Sequence, residues 1–195
     1  MMAGSDRRRL ILDRAAPLFA RKGIGGCTVR EIAEATGILS GSLYHYFDSK
    51  DAIVEEIVAE YLGALDAAYG AVLATGGDAA TRLRALVLAS LHVSHAHPHA
   101  TEVYQLNRGY FASHDRFAAV REAAARIFGT WQEAIADGVA EHAFRRDVEA
   151  RVFHRFLRDA VFLSVRWFRP SEVYGVEELA TDTAEIFLEG FGADE

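Results

Sequence analysis

Residues 40–50 read Ser-Gly-Ser-Leu-Tyr-His-Tyr-Phe-Asp-Ser-Lys. Ser40, Gly41 and Ser42 are small enough to let a backbone approach a large polar partner closely. Leu43 and Phe47 lie four apart, share one helix face and can turn inward. Tyr44 and His45 must then point elsewhere, because four rings in succession cannot all face one side of a helix. Hydroxyls and an imidazole on a short helix can bind phosphates and read the base edges of duplex DNA. Lys50 opens the following helix, where free backbone N–H groups and the helix dipole already favour a phosphate. Thr28 and Arg30 belong to the preceding helix, near enough to touch a flanking phosphate. Arg7, Arg8 and Arg9 can follow the nucleic-acid backbone as an arm.

A second constellation lies near the C-terminus. Arg158, Phe162 and Arg166 are spaced four apart and form a row along one side of a helix. Such a row has two readings. The arginines can pair with acidic neighbours such as Asp159 or Glu172, as charges on helices commonly do. Alternatively, a cationic row beside an apolar cavity suits a ligand with an oily part and phosphates.

Other reactive residues are less promising. His92, His95, His97 and His99 crowd a helix end, but a metal site needs convergent ligands, and Pro98 separates their geometry. They are expected to be an exposed or packed helix end, with no metal. Cys27 is the only cysteine, which excludes an internal disulfide. No G-x-S-x-G elbow, phosphate-cradling glycine loop or H-E-x-x-H occurs, which argues against an enzyme.

These groups must be positioned by helices. The chain has only three prolines, and apolar residues recur at helical spacing almost throughout. Ile11, Ala15, Leu18 and Phe19 make the inner stripe of a first helix that stops at Gly23. Thr28 with Glu31 is a T-x-x-E capping box opening a second helix, and Gly37 supplies the turn into a third, over about 39–45. Asp48 or Ser49 caps a fourth, with Ile53, Ile57, Val58, Tyr61 and Leu62 as its apolar set. Further helices are expected over about 79–96, 101–112, 115–140, 148–168 and 176–190. The expected fold is all-α, with about nine helices. Two short helices meeting at a glycine form a helix-turn-helix.

Net charge is −7, but it is unevenly spread. Residues 1–50 carry eight Lys/Arg against five Asp/Glu, and residues 51–195 carry thirteen against twenty-three. A basic head on an acidic body confines phosphate attraction to one end and disfavours sequence-independent DNA coating. Without a disulfide, signal peptide or spanning apolar run, the chain is expected in the cytoplasm, away from membranes.

The pattern T-V-R-x-I-A-x-x-x-G-I-x-x-G-x-L-Y-x-Y-F-x-S-K at 28–50 resembles the signature of the TetR family of bacterial repressors. A-F-R-R-D at 143–147 looks like that family's turn between two body helices. The resemblance implies a three-helix DNA-binding head at 1–50 and a ligand-binding and dimerisation body at 51–195. It places Thr28, Arg30, Ser40, Gly41, Ser42, Tyr44, His45 and Lys50 where the family meets DNA. One departure is Leu39, which stands where the family usually has a small capping serine.

Dimers are implied too, binding a palindromic operator through two heads. Helix 148–168, apolar around most of its circumference, needs a second partner; it and the last helix, with Ile186, Phe187 and Leu188, are the expected interface. G-I-L-S-G-S-L-Y-H-Y-F at 37–47 and F-L-R-D with S-V-R-W-F-R-P at 156–170 are similar to a narrower group. These are repressors of the ring-degrading stage of bacterial cholesterol catabolism, which answer to a steroid-derived acyl-CoA thioester. In that group Arg158, Arg166 and Trp167 have counterparts, while Phe162 replaces a tryptophan. The likeness implies arginines on CoA phosphates and an acyl pocket lined by Tyr104, Gln105, Asn107, Arg108 and Phe111. The competing reading is an efflux regulator of the same fold, answering to hydrophobic drugs or free acids.

Overall fold

A computed structural model describes residues 4–191; the outer ends of the two expected domains, 1–3 and 192–195, lie outside the described residues. Among these, ten α-helices and two short 3-10 helices follow one another, with no strand. In order they are α1 (Gly4–Gly26), α2 (Val29–Thr36), α3 (Ser40–Leu43), α4 (Lys50–Thr75) and α5 (Ala79–Ala96). Then come α6 (Pro98–Leu106), α7 (Arg108–Ser113), α8 (Ala118–Ala140), α9 (Ala150–Phe162) and α10 (Val176–Phe191). The 3-10 helices are Asp115–Phe117, before α8, and Leu163–Arg166, after α9.

The all-helical expectation holds, with one helix more than the nine expected. The additional break is at Asn107, whose backbone leaves the helical region (φ −118°, ψ 25°). Its Nδ2 donates to the Val103 carbonyl at 2.8 Å, so the side chain takes the acceptor that the helix would have used. The expected third helix is also shorter, a single turn followed by i→i+3 bonds from His45 N to Ser42 O and Tyr46 N to Leu43 O. Gly23 ends the regular part of α1 with φ 73°, a conformation glycine adopts without steric cost.

The described chain forms two compact units. One comprises the residues up to Tyr61 together with His99–Arg121; the other comprises Leu62–Pro98 and everything from Glu122 onward. The first unit packs Ile11, Ala15 and Phe19 of α1 with Ile32, Leu43 and Phe47, all buried. The second is built on α5, which packs against α9 and α10. Its interior holds a short polar chain. Trp131 Nε1 donates to the Tyr69 hydroxyl at 2.9 Å, and that hydroxyl lies 2.5 Å from Ser90 Oγ. Buried hydroxyls are kept only where they find partners like these.

The turn from α8 into α9 depends on one glycine. The Ala143 and Phe144 N–H groups both donate to the Gly138 carbonyl, at 2.9 and 3.0 Å. The buried Phe144 ring lies directly over Gly138, where a Cβ would come within 2.1 Å of it.

One expectation is corrected by α4. It is long and apolar enough to cross a membrane by length and composition, although no spanning run was expected. Its apolarity serves the protein's own cores: Ile53, Ile57, Tyr61, Leu65 and Tyr69 are buried. Its acids are also matched within the protein: Glu55 pairs with Arg116, Glu56 with Arg8, Glu60 with Arg9 and Asp66 with Arg126.

Candidate nucleic-acid interface and effector residues

The helix-turn-helix is fixed by local chemistry first. The Thr28 hydroxyl accepts from Glu31 N at 3.2 Å, and the Glu31 carboxylate accepts from Thr28 N at 2.8 Å. This is the reciprocal capping box. Lys22 adds an ion pair to the same carboxylate. Together the Lys22 bond and the two Thr28 bonds hold the Glu31 carboxyl down at about 2. A carboxyl lowered on folding stabilises above the ordinary carboxylate range and loses that contribution as pH falls toward 2. Glu31→Ala should therefore lower Tm at neutral pH, and the gap from wild type should close between about pH 4.5 and 2 in matched thermal melts. At the other end of α2, Gly37 (φ 68°) closes the helix, with Ile38 N donating to Ala33 O at 3.0 Å.

Burial of Leu43 and Phe47 turns the rest of the segment outward. Ser40, Gly41, Tyr44 and His45 are exposed, Tyr44 by 54%, and Ser42 is half-buried. Thr28 and Arg30 are exposed on α2, where Arg30 Nε bonds Glu34 at 2.8 Å. Ser49 rather than Asp48 caps α4, its hydroxyl accepting from Ala52 N at 3.1 Å.

Two expectations need correction. Lys50 does not project its charge from the start of α4. Its ammonium donates to the carbonyls of Ile24 at 2.6 Å and Cys27 at 2.9 Å. It thereby ties the start of α4 to backbone carbonyls at the junction between α1 and α2. Nor do Arg8 and Arg9 form a leading arm, since α1 already contains them. Arg8 Nε bonds the Glu56 carboxylate at 3.0 and 3.1 Å, its guanidinium reaches the Tyr46 carbonyl, and it lies 4.0 Å over the Phe47 ring. Arg9 binds Asp13 at 3.0 Å and Glu60 at 2.7 Å.

Arg8 also lines an open cleft of about 470 Å³ with Phe47, Asp48, Glu55, Glu56 and Arg116. Arg116 ties Glu55 at 3.0 Å and Asp48 at 3.4 Å, and the Tyr110 hydroxyl donates to Asp51 at 2.9 Å. The segment after α6 is thus fastened to the start of α4. Sequence reading missed Arg116 and Tyr110. Both lie about sixty residues from their partners, and no local pattern carries such a pairing.

The expected effector residues fall in different units. Tyr104 belongs to an aromatic cluster in the first, its ring centroid 5.7 Å from Phe111 and 6.4 Å from Tyr61. Gln105 and Asn107 are half-buried and Arg108 is exposed nearby in sequence. Arg158, Phe162, Arg166 and Trp167 belong to the second unit.

The expected single row is not formed. Helix α9 ends at Phe162 and a 3-10 turn follows, advancing about 120° per residue instead of about 100°. Arg166 is therefore rotated roughly 80° off the line through Arg158 and Phe162. Phe162 is buried, while Arg166 and Trp167 are exposed, Trp167 by 64%. Arg158 pairs with Asp159, its Nε at 2.9 Å and Nη2 at 2.6 Å from Oδ1.

The histidines separate. His92 faces Glu177 at 3.3 Å. His95 Nε2 lies 3.1 Å from Ser164 Oγ, and its ring meets Phe168 edge-on. Burial, helped by Arg169 and His92, pushes the His95 imidazole below its ordinary range.

On the outer surface of the second unit, α9 exposes Val152 and Phe156, one turn apart, and α10 exposes Ile186 by 69%. Of the three α10 residues expected at an interface, only Ile186 is exposed; Phe187 is half-buried and Leu188 is buried. Phe187 meets Phe153 edge-on within the chain instead, ring centroids 5.7 Å apart.

Comparison with known proteins agrees with this geometry. Residues 11–57 match the bacterial regulatory proteins of the tetR family, and 76–191 match the tetracyclin repressor-like C-terminal domain. The chain is 38% identical to the HTH-type transcriptional repressor KstR2 of Rhodococcus jostii over 189 residues, 97% of this chain and 93% of that one. It superposes on the ketosteroid transcriptional regulator KstR2 of Mycobacterium tuberculosis with a TM-score of 0.86 and 33% identity, covering 96% of each chain. It shares its fold with AibR, solved with isovaleryl coenzyme A and operator DNA, at a TM-score of 0.76 and 19% identity over 92% of this chain and 97% of that one. These relatives are regulators, not enzymes, and the helix-turn-helix is a DNA-binding one. The chain belongs to the TetR family of bacterial regulatory proteins, as a transcriptional repressor similar to the KstR2 repressors.

Proposed function

We propose that the protein is a cytoplasmic, dimeric repressor that binds a palindromic operator and leaves it when an acyl-CoA thioester from steroid or fatty-acid catabolism binds. The observation that carries this reading is the 38% identity to KstR2, which extends over 97% of the chain and so includes the 156–170 segment with Arg158, Arg166 and Trp167. In this reading residues 1–50 read DNA through Thr28, Arg30, Ser40, Gly41, Ser42, Tyr44 and His45. Residues 51–195 bind the effector and pair the subunits. Two heads then meet half-sites about 34–36 Å apart, or a multiple of that. The exposed Val152, Phe156 and Ile186 suit a self-complementary contact between second units.

In this reading Arg158, Arg166 and Trp167, all in the second unit, hold the CoA end of the effector. Because Arg158 already holds Asp159, a CoA phosphate must displace or share that carboxylate. Adjacent-residue ion pairs at a partly exposed site are weak, so the exchange is feasible. For release, the thioester must bind the DNA-incompetent state more tightly than the DNA-bound one.

A thermal-shift panel tests this with steroid-derived and fatty acyl-CoA thioesters, free CoA and the matched free acids. At a hundredfold over Kd, binding stabilises by about 2.7 kcal/mol, several degrees at this size. The thioesters should raise Tm by that amount. Arg158→Ala should lose most of the shift while keeping operator affinity. A shift with free acids or drugs, and none with thioesters, would replace this reading with the efflux type.

A further inference from the structure

Leu39 is the apolar residue at the leading edge of the helix-turn-helix, and 80% of it is exposed. It lies four residues before the fully buried Leu43; on a continuous helix the two would share one face. The extended backbone at Leu39 (φ −71°, ψ 144°) takes it out of helical phase and turns the side chain outward. Its neighbours in sequence, Ser40 and Gly41, are small and exposed, and Tyr44 is exposed one turn later.

The position is unusual in another way. Leu39 is the N-cap of α3 and makes no side-chain capping bond, at a site where Ser, Thr, Asp or Asn would satisfy a free N–H. A single exposed leucine needs no explanation by itself. An exposed leucine that occupies a capping position, at the end of the helix that enters the major groove, does. That groove has one apolar landmark, the C5-methyl of thymine, and side chains without hydrogen-bonding groups read it by contact.

We infer that Leu39 is a specificity determinant that packs against a thymine methyl in each half-site of the operator. The inference rests on the operator-binding reading above and adds to it a base preference. Leu39 reports the methyl, while the polar residues beside it contact phosphates and polar base edges.

The test begins with selection of a tight-binding duplex from a randomised pool, using the full chain. Each thymine of that duplex is then replaced by uracil, which removes only the methyl group. One position per half-site should weaken wild-type binding about fourfold, and both together about fifteenfold, as expected for losing one buried methyl at each. Leu39→Ala should bind thymine and uracil duplexes equally at that position. Leu39→Ser, which restores a capping hydroxyl, should fold at least as stably and be equally insensitive. The inference is overturned if no thymine shows a larger uracil effect in wild type than in Leu39→Ala. If no duplex is enriched at all, the operator-binding reading fails and takes this one with it.

Discussion

Gly138→Ala should destabilise the second unit by about 3 kcal/mol, lowering Tm by about 6–12 °C. An added Cβ would sit 2.1 Å from the Phe144 ring, far inside contact distance. Phe144 cannot swing aside easily, because it is buried and its N–H donates to the Gly138 carbonyl. The clash therefore forces either the α8 backbone or the ring from its site, and overpacking a rigid core typically costs 1–3 kcal/mol, sometimes more. Shrinking the ring supplies the control. Phe144→Leu alone should be destabilising, but combined with Gly138→Ala the loss should be smaller than the sum, as for residues in direct contact. Additive losses would mean that the two residues do not meet.

Lys50→Met should lower Tm by about 4–8 °C and weaken operator binding. The substitution keeps the aliphatic stem and removes the ammonium that bonds the Ile24 and Cys27 carbonyls. Charge-assisted bonds contribute about 1.5–3 kcal/mol each; Lys50 is only half-buried, so about 2 kcal/mol in total is expected. These bonds tie the junction of α1 and α2 to the start of α4, and α3 lies between them in sequence. Tyr44→Ala should separate stability from recognition. Tyr44 is 54% exposed, so its loss should weaken operator binding while Tm stays unchanged. Should Lys50→Met weaken DNA binding with no change in Tm, the ammonium must instead act on a phosphate in the complex, as its place at a helix start first suggests.

These two cases mark where sequence and structure part. Gly138 carries no signal in the sequence; it is one of sixteen glycines, and only the ring of Phe144, six residues on, makes it irreplaceable. Lys50 does carry a signal, its place at a helix N-terminus, and that signal gives the wrong partner in the free protein. The carbonyls it binds lie 26 and 23 residues earlier. Arg8 and Arg116 follow the same rule, paired with carboxylates on α4 that no short-range pattern connects to them.

What the sequence determined by itself is local. The Thr28–Glu31 capping box, the left-handed turns at Gly23 and Gly37, the helical stripe of α4 and the bounds of α5 and α10 all depend on neighbours within a turn or two. Backbone sterics and i, i+4 spacing express them whatever the rest of the chain does. The tertiary structure decided what lies across long separations and where a helix loses phase. It placed Lys50 on the Ile24 and Cys27 carbonyls and Arg116 on Glu55. It ended α9 in a 3-10 turn, so that Arg166 left the line of Arg158. Side-chain spacing fixes a face only while one helical twist continues. An ionic partner is fixed only when packing brings distant elements together.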